Sequence, residues 1–214
     1  MCAATLLAAA LFAFVLLLPR GGTEKGPEIS RPPDDSTAPL VCLDAGHGGG
    51  DPGAENAETG RFEKDDTLAI TLLIADKLTA QGADVILTRD GDARVSPEER
   101  CDAANDAQAA LFVSLHRNSG GGTGVEIWTS ANPDRAAESF AKDVLSALED
   151  CGIGRNRGVR RGTPSDPGKD FIVNEFTDMP SCIIELGFID DEEDNALFDA
   201  NLDAYAGAIA GCIL

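Results

Sequence analysis

Only two histidines occur in the 214 residues, and each follows an apolar, β-prone run: His47 closes ValCysLeuAspAlaGlyHis (41–47) and His116 closes LeuPheValSerLeuHis (111–116). Side chains at the ends of neighbouring strands can converge above a sheet, and imidazole is the commonest protein ligand for zinc. Two glutamates stand in equally distinctive places. Glu63 begins a stretch of helical periodicity, and Glu185 lies inside CysIleIleGluLeuGlyPhe (182–188). Two neutral imidazoles and one carboxylate leave a zinc ion with a charge of about +1 and an open position. Such an ion brings the pKa of water from about 15.7 to about 7 and polarises an amide carbonyl. A second carboxylate, near the metal but not bound to it, then moves the proton to a leaving amine. His47, Glu63 and His116 suit the ligand role for one zinc per chain; Glu185 suits the base.

Each residue also has a plainer explanation. His47 could be a turn residue in a glycine-rich loop, His116 a hydrogen-bonded core histidine, and Glu63 a carboxylate complementing a helix dipole. Glu185 is the hardest to dismiss, because an ionised carboxylate among Ile183, Ile184, Leu186 and Phe188 costs several kcal/mol unless it is paired or coordinating. GlyHisGlyGlyGlyAspProGly (46–53) lacks the GxxxxGK[ST] pattern of a phosphate cradle, and no GxSxG elbow occurs.

The elements that must position these residues alternate from residue 40 onward, which predicts an α/β domain with helices on both faces of the sheet. Strands are expected at 40–44, 84–88, 110–115, 125–129, 171–174 and 182–185. Helices are expected at 65–79, from Pro97 to Asn105, from Asn132-Pro133 to near Gly152, and in two short pieces near 191–199 and 202–212. Ser96-Pro97-Glu98-Glu99 reads as a capping box. The one basic cluster, ArgAsnArgGlyValArgArgGly (155–162), falls on an expected loop reaching to Lys169. It is either a solvated charge run or a binding site for carboxylates.

At this length the chain makes one domain. With 37 acidic against 17 basic residues and a formal net charge of −20, it should be repelled by nucleic acid. Residues 1–20 read as a secretory signal or a membrane anchor, 21–39 as a Pro/Asp/Ser/Thr/Glu-rich tether, and 40–214 as the catalytic domain. Five cysteines follow Cys2, an odd count that forbids complete pairing; Cys42 and Cys182 are expected as small core hydrophobes.

LeuAspAlaGlyHisGlyGlyGlyAspProGlyAla (43–54), PheGluLysAspAspThrLeu (62–68), ValIleLeuThrArgAspGlyAsp (85–92), GluGluArgCysAspAlaAlaAsn (98–105), LeuPheValSerLeuHisArgAsn (111–118), GlyValGluIleTrp (124–128) and MetProSerCysIleIleGluLeuGlyPheIle (179–189) together resemble, in order, the zinc-dependent N-acetylmuramoyl-L-alanine amidases of bacterial cell walls. The resemblance implies an open, mixed and mostly parallel sheet. It also implies cleavage of the amide between the lactyl group of N-acetylmuramic acid and the L-alanine of the stem peptide. By motif position His47, Glu63 and His116 carry over as zinc ligands and Glu185 as the catalytic acid/base. Peptidoglycan is the implied substrate. The protein is expected to be monomeric and extracytoplasmic, secreted to the wall or anchored to the outer face of the membrane, with the need for an activator protein left open. Two departures stand out: Arg117, where a small residue usually follows the histidine, a change expected to alter the substrate groove, and Pro97, where leucine is common but which keeps a sound helix start. A zinc carboxypeptidase and a non-catalytic wall-binding module are the competing readings.

Overall fold

The computed structural model describes residues 39–214. The expectations for 1–20 and for nearly all of the tether lie outside the described residues.

Strand β1 (Leu40–Ala45) is buried at every position after the first, the pattern of a strand covered on both faces. It pairs in parallel with β4 (Asp84–Leu87) and with β5 (Leu111–Asn118), and β5 pairs in parallel with β8 (Ser181–Phe188). Beyond β8 the direction reverses: β6 (Val125–Thr129) runs antiparallel to it, and β7 (Asn156–Arg161) runs parallel to β6 at the edge. The order β4-β1-β5-β8-β6-β7 is the open, mixed and mostly parallel sheet that was expected. A small antiparallel pair, β2 (Glu55–Asn56) with β3 (Arg61–Phe62), sits in the connection after β1.

Side-chain alternation along the strands divides the interior in two. Val41, Leu43, Val113, Leu115, Cys182 and Ile184 point to the face covered by α1 (Glu63–Ala80), α3 (Arg135–Asp150) and α5 (Glu192–Ile213). Cys42, Phe112, Trp128 and Ile183 point to the other face, under α2 (Pro97–Asp106) and the single turn α4 (Ile172–Glu175). His116 shares parity with Phe112, and Glu185 with Ile183. Both therefore emerge on the thinly covered face, where the short α4 leaves room for a cleft.

The capping box forms as read, with Ser96 and Glu99 exchanging side-chain and backbone hydrogen bonds around Pro97. Four expectations are corrected. The third long helix starts at Arg135, because Asp134 rather than Asn132 caps it through Ala137 N–H. Residues 156–161 form a strand, not a loop: the edge of β6 offers unpaired backbone groups, and charged side chains suit an edge strand. The run 171–174 is a helical turn capped by Phe171, since so short an apolar run carries no readable period. The two C-terminal helices are one, because Phe198, Leu202, Tyr205 and Ile209 keep a continuous core-facing stripe across residues 200–201. Cys42 and Cys182 are free and fully buried, as expected; burial pushes the Cys182 thiol up to about 12.

Candidate active site

His47 lies just past the carboxyl end of β1, Glu63 is the first residue of α1, and His116 sits near the carboxyl end of β5. Residues 47, 63 and 116 thus meet at the crevice where open α/β sheets place their sites. Each offers a ligand atom within 4.8 Å of the other two. Glu63 is the hub. Its Oε1 accepts from Arg117 N at 3.0 Å and lies 2.8 Å from His116 Nδ1, while its Oε2 accepts from Ala54 N at 2.8 Å and lies 3.2 Å from His47 Nε2. Burial alone would raise the Glu63 carboxyl, but the two imidazoles outweigh it and hold it well below the usual carboxylate range. This is more than a dipole-complementing role, since its partners come from β5 and the β1–α1 loop.

Two nitrogens and one oxygen are a donor set that suits zinc. Asp51 Oδ2 stands 3.0 Å from His47 Nδ1. A carboxylate there accepts a hydrogen bond from Nδ1–H and so keeps the proton on Nδ1, leaving Nε2, the nitrogen facing Glu63, bare for a metal. Two glycines make the remaining room. A Cβ on Gly46 would come within 2.3 Å of the His116 ring, and one on Gly53 would come within 2.6 Å of both Glu63 Oε2 and the His47 ring. Gly46→Ala should therefore displace the His116 imidazole and weaken zinc binding by about ten- to a hundred-fold, the range for misoriented ligands. Competition against a chromophoric chelator reads this, with far-ultraviolet circular dichroism unchanged.

Beneath the His47 loop lies a buried scaffold that the sequence reading did not identify. His47 itself has φ +61°, an unfavourable region for a residue with a Cβ. Arg100 holds it there: its guanidinium donates to His47 O at 2.7 Å and Ala45 O at 2.6 Å and pairs with Asp44. Asp44 also accepts from the Thr88 and Ser114 hydroxyls. Arg89, 2% exposed, donates to Ala45 O, Gly46 O and Lys64 O, tying the same loop to the start of α1.

Glu185 faces His116 across the β5–β8 ladder and Glu126 across the β6–β8 ladder. Its Oε2 is buried and has no hydrogen-bond partner among the described residues. Burial pushes its carboxyl up to about 7; His116 opposes the rise, and the Glu63 and Glu126 carboxylates add to it. Glu126, which the sequence reading passed over, is 4% exposed and accepts from Asn118 Nδ2, Trp128 Nε1 and Arg157 Nε. The signal was available: a carboxylate inside the apolar ValGluIleTrp run is as costly as Glu185 in its own.

A cleft of about 440 Å³ opens over this cluster, lined by His47, Glu63, His116 and Glu185 and walled by Val95, Pro97 and the Phe171–Val173 turn. Arg117 borders the cleft, but its side chain turns away from it, so any effect of this position on the groove is not made by the guanidinium. The guanidinium is buried on the opposite face of the sheet, bonded to Asp66 and Asn195 and stacked 4.3 Å from the Phe198 ring centroid. Only its backbone N–H serves the site, through Glu63.

Fold and cluster together define an α/β protein with a candidate His–Glu–His metal site beside a buried carboxyl at the carboxyl ends of parallel strands. The family model described as N-acetylmuramoyl-L-alanine amidase (Amidase_3) matches residues 41–214, and the chain belongs to that family. It is 39% identical over 161 residues to the uncharacterized protein YqiI of Bacillus subtilis, spanning 72% of each chain. It is 34% identical over 156 residues to the sporulation-specific N-acetylmuramoyl-L-alanine amidase of the same organism, spanning 72% of this chain and 58% of that one. Among solved structures, the N-acetylmuramoyl-L-alanine amidase of Clostridium difficile 630 superposes with a TM-score of 0.76 at 29% identity, over 83% of this chain and 96% of that one.

Proposed function

We propose that residues 40–214 are the catalytic domain of a peptidoglycan hydrolase that cleaves the amide between N-acetylmuramic acid and the L-alanine of the stem peptide. Family membership supports the reaction, and the observation that carries the site assignment is the buried, unpartnered Oε2 of Glu185 one strand from His116. His47, Glu63 and His116 would hold one zinc ion. When bound, zinc supplies Lewis acidity toward the scissile carbonyl and makes water acidic near neutral pH.

The protein's own groups do the rest. Glu63, ionised by its surroundings, contributes the negative charge of the donor set; Asp51 fixes the His47 tautomer. Glu185, with a carboxyl near 7, exchanges protons readily at neutral pH: it takes one from the attacking water and returns it to the departing alanine nitrogen. The apolar wall at Phe171, Ile172 and Val173 lowers the local dielectric and so strengthens these charges. A non-catalytic module would lack a ligand or the base; that His47, Glu63, His116 and Glu185 line one cleft supports the catalytic reading.

Substrate in the wall places the protein outside the cytoplasm, with residues 1–20 as export signal or membrane anchor and the domain acting as a monomer. Purified protein is expected to contain one zinc per chain by elemental analysis and to release whole stem peptides from peptidoglycan, with new N-terminal alanine. Dialysis against a chelator should abolish release, and stoichiometric zinc should restore it. Release of single amino acids would instead identify a carboxypeptidase, and activity unaffected by chelator would remove zinc from the reading.

A further inference from the structure

The basic cluster is not one site. Arg161 turns back to Glu138 on α3 at 3.0 Å, whereas Arg157 and Arg160 both face a second cleft of about 470 Å³. Regular alternation would put residues 157 and 160 on opposite faces of β7. A bulge prevents it: Val125 pairs with Asn156 but Ile127 with Val159, so β7 carries one extra residue. Gly158, at φ +89°, takes the conformation the bulge needs. The result is two guanidiniums on one face, with Glu126 Oε2 2.7 Å from Arg157 Nε and 3.9 Å from Arg160 Nε.

One carboxylate does not balance them. Arg157 is anchored, bonded to Glu126 and Thr123 O and stacked 4.9 Å from the Phe188 centroid. The Arg160 side chain is half exposed and makes no side-chain hydrogen bond among the described residues. In a chain of net charge −20, this cleft gathers two guanidiniums around the one carboxylate, that of Glu126, with which they pair.

The two clefts share Asn118, Ser119, Phe171 and Glu185, but the candidate metal ligands line only the first. Glu185 returns the proton to the leaving amine, so the amine half of the substrate continues from Glu185 into the second cleft. That half is the peptide, which carries carboxylates; the glycan half offers hydroxyls and acetamides. From this geometry we propose that Arg160, with Arg157 beside it, forms a subsite for a carboxylate of the stem peptide. The inference rests on the proposed amidase reading. Two strand spacings of about 4.8 Å separate β7 from β8, the span of about three extended residues, so the carboxylate recognised lies within about three residues of the cleaved bond.

The test compares stem tripeptide, as the muramoyl conjugate and as free peptide, with its carboxylates free or amidated. Wild-type protein should show kcat/KM about tenfold higher, and calorimetric affinity about tenfold tighter, for the free-carboxylate forms. Arg160→Gln should erase that ratio and Arg160→Lys should keep part of it. Gly158→Val, which opposes the bulge, should also reduce it. Equal cleavage and binding of the two forms by wild type, or an unchanged ratio in Arg160→Gln, would overturn the subsite while leaving the amidase reading intact. Discriminating binding without any cleavage would support the subsite and sink the amidase reading instead.

Discussion

Replacing Glu185 by Gln is expected to lower amide hydrolysis by at least about a hundred-fold, within the 10²–10⁴ range of a single acid/base group, while the protein still holds one zinc per chain. The substitution keeps size and polarity and removes only the capacity to carry a proton. Geometry separates this residue from Glu63, although both are glutamates lining the same cleft as the two imidazoles. Glu63 accepts two backbone N–H groups and faces both histidines, so it stays ionised. Glu185 Oε2 has no such partner, and burial, with the Glu63 and Glu126 carboxylates adding to it, pushes its carboxyl up to about 7. Opposite environments divide the two roles. Single-turnover assays with elemental analysis decide the matter: near-wild-type turnover in the zinc-loaded variant would refute the acid/base role.

A comparable loss, in stability rather than chemistry, is expected at Asp44. Asp44→Ala leaves the Arg100 guanidinium buried without its counter-ion and strands the Thr88 and Ser114 hydroxyls; one-sided removal of a buried pair costs about 3–5 kcal/mol. Because Arg100 and Arg89 also hold the His47 loop, zinc affinity should fall with it. The pH dependence has a definite sign. Burial alone would raise the Asp44 carboxyl, but the Arg100 charge and the two hydroxyls outweigh it and hold it below the ordinary carboxylate value. A carboxyl depressed in the folded state stabilises fully above its unfolded pKa of about 4, and that contribution is lost as pH falls through the lower folded value. Urea melts should therefore show a wild-type advantage that is constant from neutral pH to about 5 and shrinks below 4. An advantage independent of pH across that window would mean that packing, not the ion pair, is what Asp44 supplies.

The four candidate site residues were legible from their local settings, though not equally. Glu185 is a charge in an apolar strand, and His47 and His116 end apolar strands. Glu63 opens a helix with an acidic turn, a signal a dipole would also explain. Glu126 violates the same rule as Glu185 and was readable by it. The arginines illustrate the opposite case: ArgGlyValArg looks like solvated loop, and only pairing with β6 through a bulge at Gly158 sets Arg157 and Arg160 on one face. Arg117 adjoins a candidate ligand in sequence, yet strand alternation sends its side chain to the far side of the sheet.

By itself, then, the sequence determined which residue types were available for chemistry, the alternation of strands and helices, and the resemblance to a family, because these depend on spacing within one element or on motif order. The tertiary structure decided what meets what. Parallel pairing of β1, β5 and β8 brings together residues as far apart as 47 and 185, and His116 faces Glu185 only in the register that the β5–β8 ladder imposes. Register is set by long-range packing of two buried faces, and a slip of one residue between β5 and β8 would put these two side chains on opposite faces of the sheet.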